Sequence, residues 1–367
     1  MKIEVDRDEL LAHLQTAARV ASARTAIQAL SGVQLVVSAD GCELRTTDLE
    51  IGLRMTMSAE RVREGTVVLP ARLLLDVVRS LPHSRVSLEF RAAERDVELI
   101  SGSALFHIRT LRSEDFPQFP EPEPDQVISV PAHAFVATAL KVAGSASRDE
   151  TRPVLTGILI SAANGRLEMV ATDSYRLSIK QTVLEEALAR DFEVNVPARA
   201  LQELARIAGQ AEGLQISVQR NQILFVLDGV ILSSRLIEGQ FPNYRQLLPE
   251  AFEHEVTMDS VELTGIVRRI SLLAQKNRPL RLAFSEGELS ISAETPDVGQ
   301  ARESLPVPFQ GESLEIGFNP EFLREGLEAI EEGDVTVKLI SPIRPGLIEA
   351  ADGSGFQYLI MPIRLNV

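Results

Sequence analysis

Residues 171–177, Ala171-Thr172-Asp173-Ser174-Tyr175-Arg176-Leu177, set hydroxyls, a carboxylate, a phenol and a guanidinium side by side. Such a stretch could form a small acid/base cluster, with a Thr-Asp pair beside Tyr175 and Arg176. The same residues suit a turn leaving a strand, in which Asp173 accepts hydrogen bonds from nearby backbone N–H groups. A second Thr-Asp pair, Thr47-Asp48, continues as Leu49-Glu50, so the two copies share no catalytic constellation and the turn reading is favoured. A hydrolase using Asp48 or Asp173 stays open as the rival. No phosphate-binding loop, HExxH or GxSxG motif occurs. The histidines are scattered, and His133 sits at a helix start where a solvated first-turn residue is expected. The single cysteine, Cys42, can supply neither a disulfide framework nor a cysteine-ligated metal site, so no metal or cofactor is expected.

Composition narrows the class. The 367 residues suit two to four domains at roughly 100–200 residues each. With 45 % hydrophobic and 24 % charged residues, the chain can bury ordinary cores. No apolar run reaches the roughly 18 residues needed to span a bilayer, and Met1-Lys2-Ile3-Glu4-Val5-Asp6 lacks the pattern of a signal peptide. A cytoplasmic protein is the expectation. A net charge of −15 argues against a surface that binds nucleic acid everywhere, but not against a local basic face.

The chain repeats itself. Thr47-Asp48 recurs as Thr172-Asp173, Leu69-Pro70-Ala71-Arg72 as Val196-Pro197-Ala198-Arg199, and Asp115-Phe116-Pro117 as Gln240-Phe241-Pro242. A diverged third copy runs through Ser292-Ala293-Glu294-Thr295 and Asn319-Pro320-Glu321-Phe322. Proline-rich or proline-centred breaks lie at 116–126 and 247–254. These mark three homologous domains, 1–120, 126–249 and 255–367. Each should contain two rounds of strand, helix and three strands, an α+β fold with helices covering one face of antiparallel sheets.

The helices carry the charge signal. In the first, Leu10, Leu11, Leu14, Ala17, Ala18 and Ala21 are expected to face the core, with Ala12, Gln15, Thr16 and Arg19 opposite. In the second domain, Phe135, Val136, Ala139, Leu140 and Ala143 should face inward, leaving Ala134, Lys141, Ser145 and Arg148 outside. In the third, Leu263, Ile266, Val267, Ile270 and Leu273 form the stripe, with Arg268, Lys276 and an isolated Leu272 on the other side. The Pro-Ala-Arg helices add Arg72, Arg79, Arg199 and Arg206, while the sixth helix is acidic around Arg324. Helix dipoles favour bases near C-termini by about 0.3–1 kcal/mol each, yet the exposed faces of the leading helices beyond their first turns also lack acids. The helical face leans basic while strands and loops carry the negative excess.

Together, ATDSYRL at 171–177, the RLIEGQFPNYRQLLP stretch from Arg235 to Pro249 and Met361-Pro362-Ile363-Arg364-Leu365 resemble the β subunit family of bacterial DNA polymerase III, the sliding clamps, over the whole length. The resemblance implies a head-to-tail homodimeric ring with helices lining the inside and antiparallel sheets outside. Such a ring encircles double-stranded DNA without sequence specificity and has no catalysis of its own. It implies a pocket for short clamp-binding peptides of the replicative polymerase, the clamp loader and other polymerases and repair proteins. Carried over by position, that pocket takes Leu155, Thr172, Ser174, Tyr175, Arg176, Leu177, Pro242, Gln246, Leu247, Ile343, Leu359, Ile360, Met361, Pro362, Ile363, Arg364 and Leu365. Gln246 stands where the family often has an arginine, Asn277 where an aromatic can sit, and Pro345 where a small polar residue occurs. DNA contacts are expected from Arg19, Arg24, Arg72, Arg79, Lys141, Arg148, Arg152, Arg199, Arg206, Arg268 and Lys276, with Asp149 replacing a neutral residue. The dimer seam is expected to pair the strand of Phe106 and Ile108 with Leu272 and Leu273. A plain interaction scaffold without a ring is the remaining alternative.

Overall fold

A computed structural model describes residues 1–22, 25–123, 127–184, 190–274, 278–330 and 333–365. Arg24, Lys276 and Asn277 therefore lie outside the described residues. The first repeat runs β1 (Lys2–Asp6), α1 (Arg7–Val20), β2 (Gly32–Ser38), β3 (Gly41–Thr47), β4 (Ile51–Met57), β5 (Ala59–Arg63), β6 (Gly65–Pro70), α2 (Ala71–Ser80), β7 (Arg85–Arg91), β8 (Asp96–Ser101) and β9 (Ala104–Arg109). The second runs β10 (Val127–Pro131), α3 (Ala132–Ala143), β11 (Gly157–Ala163), β12 (Arg166–Thr172), β13 (Arg176–Val183), β14 (Phe192–Pro197), α4 (Ala198–Ala208), β15 (Gly213–Val218), β16 (Gln222–Leu227) and β17 (Val230–Arg235). The third runs β18 (His254–Asp259), α5 (Ser260–Ser271), β19 (Leu280–Ser285), β20 (Glu288–Thr295), β21 (Gly299–Pro306), β22 (Leu314–Phe318), α6 (Pro320–Glu328), β23 (Asp334–Leu339), β24 (Gly346–Ala350) and β25 (Phe356–Ile360). The doubled strand–helix–three-strand grammar holds in each repeat, with β5 as an extra strand in the first.

Local chemistry starts the helices. The Asp6 carboxylate accepts from the N–H groups of Asp8 at 2.9 Å and Glu9 at 3.1 Å, satisfying donors that a helix's first turn leaves without partners. Asp259 caps α5 through Glu262 N at 2.7 Å, and Asn319 caps α6 with Pro320 opening the helix. On α1, Leu10, Leu14, Ala17 and Val20 are buried, at i, i+4, i+7 and i+10, so one stripe meets the core.

The strands assemble across repeat boundaries. The chain divides into two compact units, one of Met1–His133 with Glu203–Leu236, the other of Ala134–Gln202 with Ile237–Val367. Unit 1 contains a sheet ordered β5-β1-β7-β8-β9 and an eight-stranded sheet ordered β10-β15-β16-β17-β4-β3-β2-β6. Unit 2 contains an eight-stranded sheet ordered β14-β11-β12-β13-β25-β24-β23-β18 and a four-stranded one ordered β21-β20-β19-β22. Each eight-stranded sheet joins four strands of one repeat to four of the next. The joint is β4 with β17 in unit 1 and β13 with β25 in unit 2, both antiparallel.

Two expected faces are corrected. Leu140 of α3 is exposed, while Ser145 just beyond the helix is buried and hydrogen-bonded to Ser178 at 2.6 Å. Thr138 is likewise buried and shares a 2.6 Å hydrogen bond with Thr182. The cause is the partner surface: β13 presents Ser178 and Thr182 to α3, so the helix turns polar residues, not Leu140, toward it. Cys42 is buried, and burial pushes its thiol up to about 11, as suits a packed and unreactive side chain.

Candidate peptide-docking site

The turn joining β12 to β13 is built by its own side chains. Thr172 Oγ1 donates to Arg176 O at 2.6 Å, and the Asp173 carboxylate accepts from Tyr175 N at 2.9 Å and Arg176 N at 3.0 Å. Ser174 takes the left-handed conformation (φ 80°) that closes the turn. Asp173 Oδ2 also accepts from Arg176 Nε at 3.1 Å, so both carboxylate oxygens are engaged in structure. Asp48 does the same in the first repeat, accepting from Glu50 N at 3.0 Å and Ile51 N at 2.7 Å. Among the described residues no cluster of His, Cys, Asp and Glu suits a metal ion. Asp173 and Asp48 thus each brace the turn in which they stand.

Beneath the turn lies an apolar floor. The β13–β25 register sets Leu177 opposite Leu359 and Arg176 opposite Ile360, and β24–β25 adds Leu347 opposite Leu359. Leu177, Leu347 and Leu359 belong to one buried cluster with Val170, Ile179 and Tyr244, flanked by Phe241 and Leu248 of the following linker. Tyr244 is fixed there by donating its hydroxyl to Glu168, which also takes Arg245 Nη2 at 2.8 Å. Burial, then that hydrogen bond, holds the phenol above its ordinary range.

The predicted pocket residues separate by position. Leu155, Thr172, Arg176, Leu177, Leu359 and Ile360 are buried, whereas Ser174, Pro242 and Gln246 are exposed. Four large apolar side chains stand out in solvent: Tyr175 (62 % exposed), Leu247 (52 %), Ile343 (65 %) and Met361 (44 %). Met361 N donates to Tyr175 O at 2.9 Å, tying two of them together. The tail then leaves the groove: Ile363 N donates to Gly317 O at 2.8 Å, and a Cβ on Gly317 would lie only 2.6 Å from Ile363 O and 2.8 Å from the Leu365 side chain. Ile363 and Leu365 therefore anchor the chain end on β22, and Arg364 projects outward.

Arg176 is drawn inward from the turn. It is 8 % exposed, with Nη2 donating to Gly144 O at 2.6 Å and Nη1 to the Glu325 carboxylate and the Tyr358 hydroxyl. Its guanidinium lies 4.3 Å from the centre of the Phe322 ring. Burial alone would favour losing the proton, but Tyr358 and Glu325 more than offset it and keep the cation charged. Phe322 also stands 6.5 Å from the Tyr175 ring. Phe322, Glu325 and Tyr358 were not identified as site residues in the sequence, where Asn319-Pro320-Glu321-Phe322 reads only as a helix start.

The candidate DNA-binding bases are scattered over the helices and loops. Arg72, Arg79, Arg148, Arg199, Arg206 and Arg268 are exposed. Arg79 pairs with Asp76 at 3.4 Å, Arg268 with Glu328 at 2.9 Å and exposed Arg19 with buried Glu203 at 2.9 Å, while Arg206 also reaches Glu203. The exposed Arg79–Asp76 and Arg268–Glu328 pairs contribute about 0–1 kcal/mol, so a phosphate can displace the carboxylate there, whereas buried Glu203 holds Arg19 and Arg206. Lys141 and Arg152 are engaged by neighbouring groups of the chain. Lys141 donates to Ala329 O at 2.5 Å, and Arg152 donates to Ser174 Oγ at 2.9 Å and to Asp149 at 3.1 Å. Thr151, through its hydroxyl and then its N–H, and Arg152 hold the Asp149 carboxyl below its usual range. Of the seam residues, Leu272 is 84 % exposed at the end of α5, Phe106 and Leu273 are half-buried, and Ile108 is buried within its own sheet.

Comparison with known proteins matches the chain in three consecutive segments. Models of the DNA polymerase III beta subunit match its N-terminal domain to residues 1–120, its central domain to 129–243 and its C-terminal domain to 245–364. The beta sliding clamp of Synechococcus elongatus is 33 % identical over the full length of both chains, and that of Streptomyces coelicolor 31 %. The crystal structure of the Bacillus subtilis DNA polymerase sliding clamp superposes with a TM-score of 0.94 at 27 % identity, covering all of both chains. A Pseudomonas aeruginosa DnaN sliding clamp bound to griselimycin superposes at 0.92 with 29 % identity, again over both whole chains. Full-length agreement of sequence, domain order and three-dimensional fold places the chain in the DNA polymerase III beta subunit family, the bacterial sliding clamps.

Proposed function

We propose that two copies of this chain close head to tail into a ring around duplex DNA, and that the groove over Leu177 and Leu359 holds partner proteins by a short extended peptide. One observation carries the peptide reading: Tyr175, Leu247, Ile343 and Met361 expose large apolar surface beside an apolar floor, where a monomer ordinarily covers such side chains. Tyr175, Leu247, Ile343 and Met361 form the rim, Leu155, Thr172, Leu177, Leu359 and Ile360 the floor. The replicative polymerase, the clamp loader and other polymerases and repair proteins share this groove. The chain acts by tethering, with no chemistry of its own, in the cytoplasm.

DNA is held by encirclement with phosphate contacts that carry no sequence information, which suits basic helix faces on a molecule of net charge −15. Arg19, Arg72, Arg79, Arg148, Arg199, Arg206 and Arg268 supply the field that phosphates meet. Ring closure is supported by open sheet edges: β9 ends a sheet of unit 1 and β21 ends a sheet of unit 2. Unpaired edges invite another chain, and exposed Leu272 adds an apolar anchor.

Two measurements test this reading. Protein loaded onto nicked circular DNA should stay bound through a salt wash and leave once the DNA is linearised; equal retention on both forms would sink encirclement. Leu272→Asp should move the sedimentation mass from dimer to monomer and abolish retention, with the melting temperature of the monomer unit unchanged within about 2 °C, since surface substitutions stay within about 0.5 kcal/mol. An unchanged dimer would remove Leu272 from the seam.

A further inference from the structure

Unit 1 contains a second groove on the same main-chain frame. Thr47 Oγ1 donates to Ile51 O at 2.9 Å as Thr172 Oγ1 does to Arg176 O, and Leu49 is left-handed at φ 78° as Ser174 is at 80°. Asp48 accepts from Glu50 and Ile51 as Asp173 does from Tyr175 and Arg176. Each turn is closed by the residue just after or at the end of the partner strand: Arg235 N donates to Glu50 O at 2.8 Å where Met361 N donates to Tyr175 O at 2.9 Å. The following linkers correspond too, Phe116-Pro117-Gln118-Phe119 matching Phe241-Pro242-Asn243-Tyr244.

The side chains differ where it matters. The β4–β17 register puts Gly52 opposite Ser233, in the places that Leu177 and Leu359 hold in unit 2. Phe119 moves over the gap: a Cβ on Gly52 would lie 3.1 Å from its ring and 2.5 Å from Ser233 Oγ. Ser233 and the Phe119 ring take the space directly over Gly52, and beside them an open pocket of about 170 Å³ remains, lined by Thr47, Leu49, Pro117 and Phe119 with the polar Gln222 and Arg235 among others. A volume of about 150 Å³ holds one benzene ring, so this pocket of mixed polar and apolar lining matches a single bulky side chain in size. Leu49 stands exposed on its lip, with Glu50 in place of Tyr175 and Arg235 in place of Met361, which puts an acidic and a basic residue side by side at the opening.

We infer that this groove is a second docking site, for an extended peptide that inserts one bulky apolar side chain into the pocket beside Phe119, that side chain being flanked in the peptide by a basic and an acidic residue. The inference rests on reading the unit 2 groove as a peptide site, because the two share one frame. With one anchor where the other groove offers an apolar floor and four rim residues, binding is about ten- to a hundredfold weaker.

The test uses the full-length chain and a fluorescein-labelled peptide with a phenylalanine between a lysine and an aspartate, each one glycine away. Leu247→Asp with Met361→Asp closes the unit 2 groove, so saturable anisotropy that persists in this variant belongs elsewhere. Adding Leu49→Asp and Glu50→Lys, both at exposed positions, should erase it. No saturable binding in the first variant overturns the second site, as does binding that survives Leu49→Asp with Glu50→Lys. A two-anchor peptide titrated into the wild-type chain reads the unit 2 groove separately, so failure there is distinguishable from failure here.

Discussion

Arg176→Ala lowers the stability of unit 2 by about 3–5 kcal/mol, the cost of removing one partner from a buried charged network. The guanidinium ties the β12–β13 turn at Asp173, the end of α3 at Gly144, α6 at Glu325 and Phe322, and β25 at Tyr358. Its loss removes a charged donor from the carboxylates of Asp173 and Glu325 and from the Gly144 carbonyl, and opens a void under the Phe322 ring. Tyr175 then loses its fixed position beside Phe322, and peptide affinity falls with it. Arg176→Lys keeps the charge but not the planar fork that reaches several acceptors at once, so it recovers only part of the loss. Urea denaturation followed by tryptophan-free far-UV circular dichroism gives the stability change, and peptide anisotropy the affinity. A midpoint for Arg176→Ala equivalent to less than about 1 kcal/mol of change would show that the guanidinium does not join these elements.

Leu247→Asp combined with Met361→Asp has the larger effect on binding and little on folding. Both side chains are about half exposed, so the fold loses little apolar burial. Each change removes an apolar contact for the bound peptide and sets an unpaired carboxylate at the mouth of an apolar groove. At about 1.5–3 kcal/mol per anchor, affinity for a two-anchor peptide drops at least about a hundredfold. The dimer mass and the melting temperature should stay as in the wild type. Peptide affinity within tenfold of the wild type would place the docking site elsewhere on the chain.

How much of this was legible in the sequence follows from the range of each interaction. The Thr-Asp turns were readable because Asp48 and Asp173 bond to backbone only two and three residues ahead. The repeated strand–helix grammar was readable because helix caps and apolar periodicity are local as well. The faces of α3 were misassigned because its partner strand is itself polar. Ser145 and Thr138 are buried against Ser178 and Thr182, and no feature of the helix alone announces that. The burial of Arg176 was not readable, since its partners Glu325 and Tyr358 lie far along the chain.

By itself, then, the sequence determined the three repeats, the helix starts, the two Thr-Asp turns and the family to which they belong, all of them matters of short-range bonding and periodicity. Only the tertiary structure decided that sheets close across repeat boundaries, burying Arg176 and turning Ile363 and Leu365 onto β22. It also decided that Gly52 faces Ser233 where Leu177 faces Leu359. The physical reason is strand register: antiparallel pairing between distant segments selects which side chains meet, and neither segment specifies its partner alone.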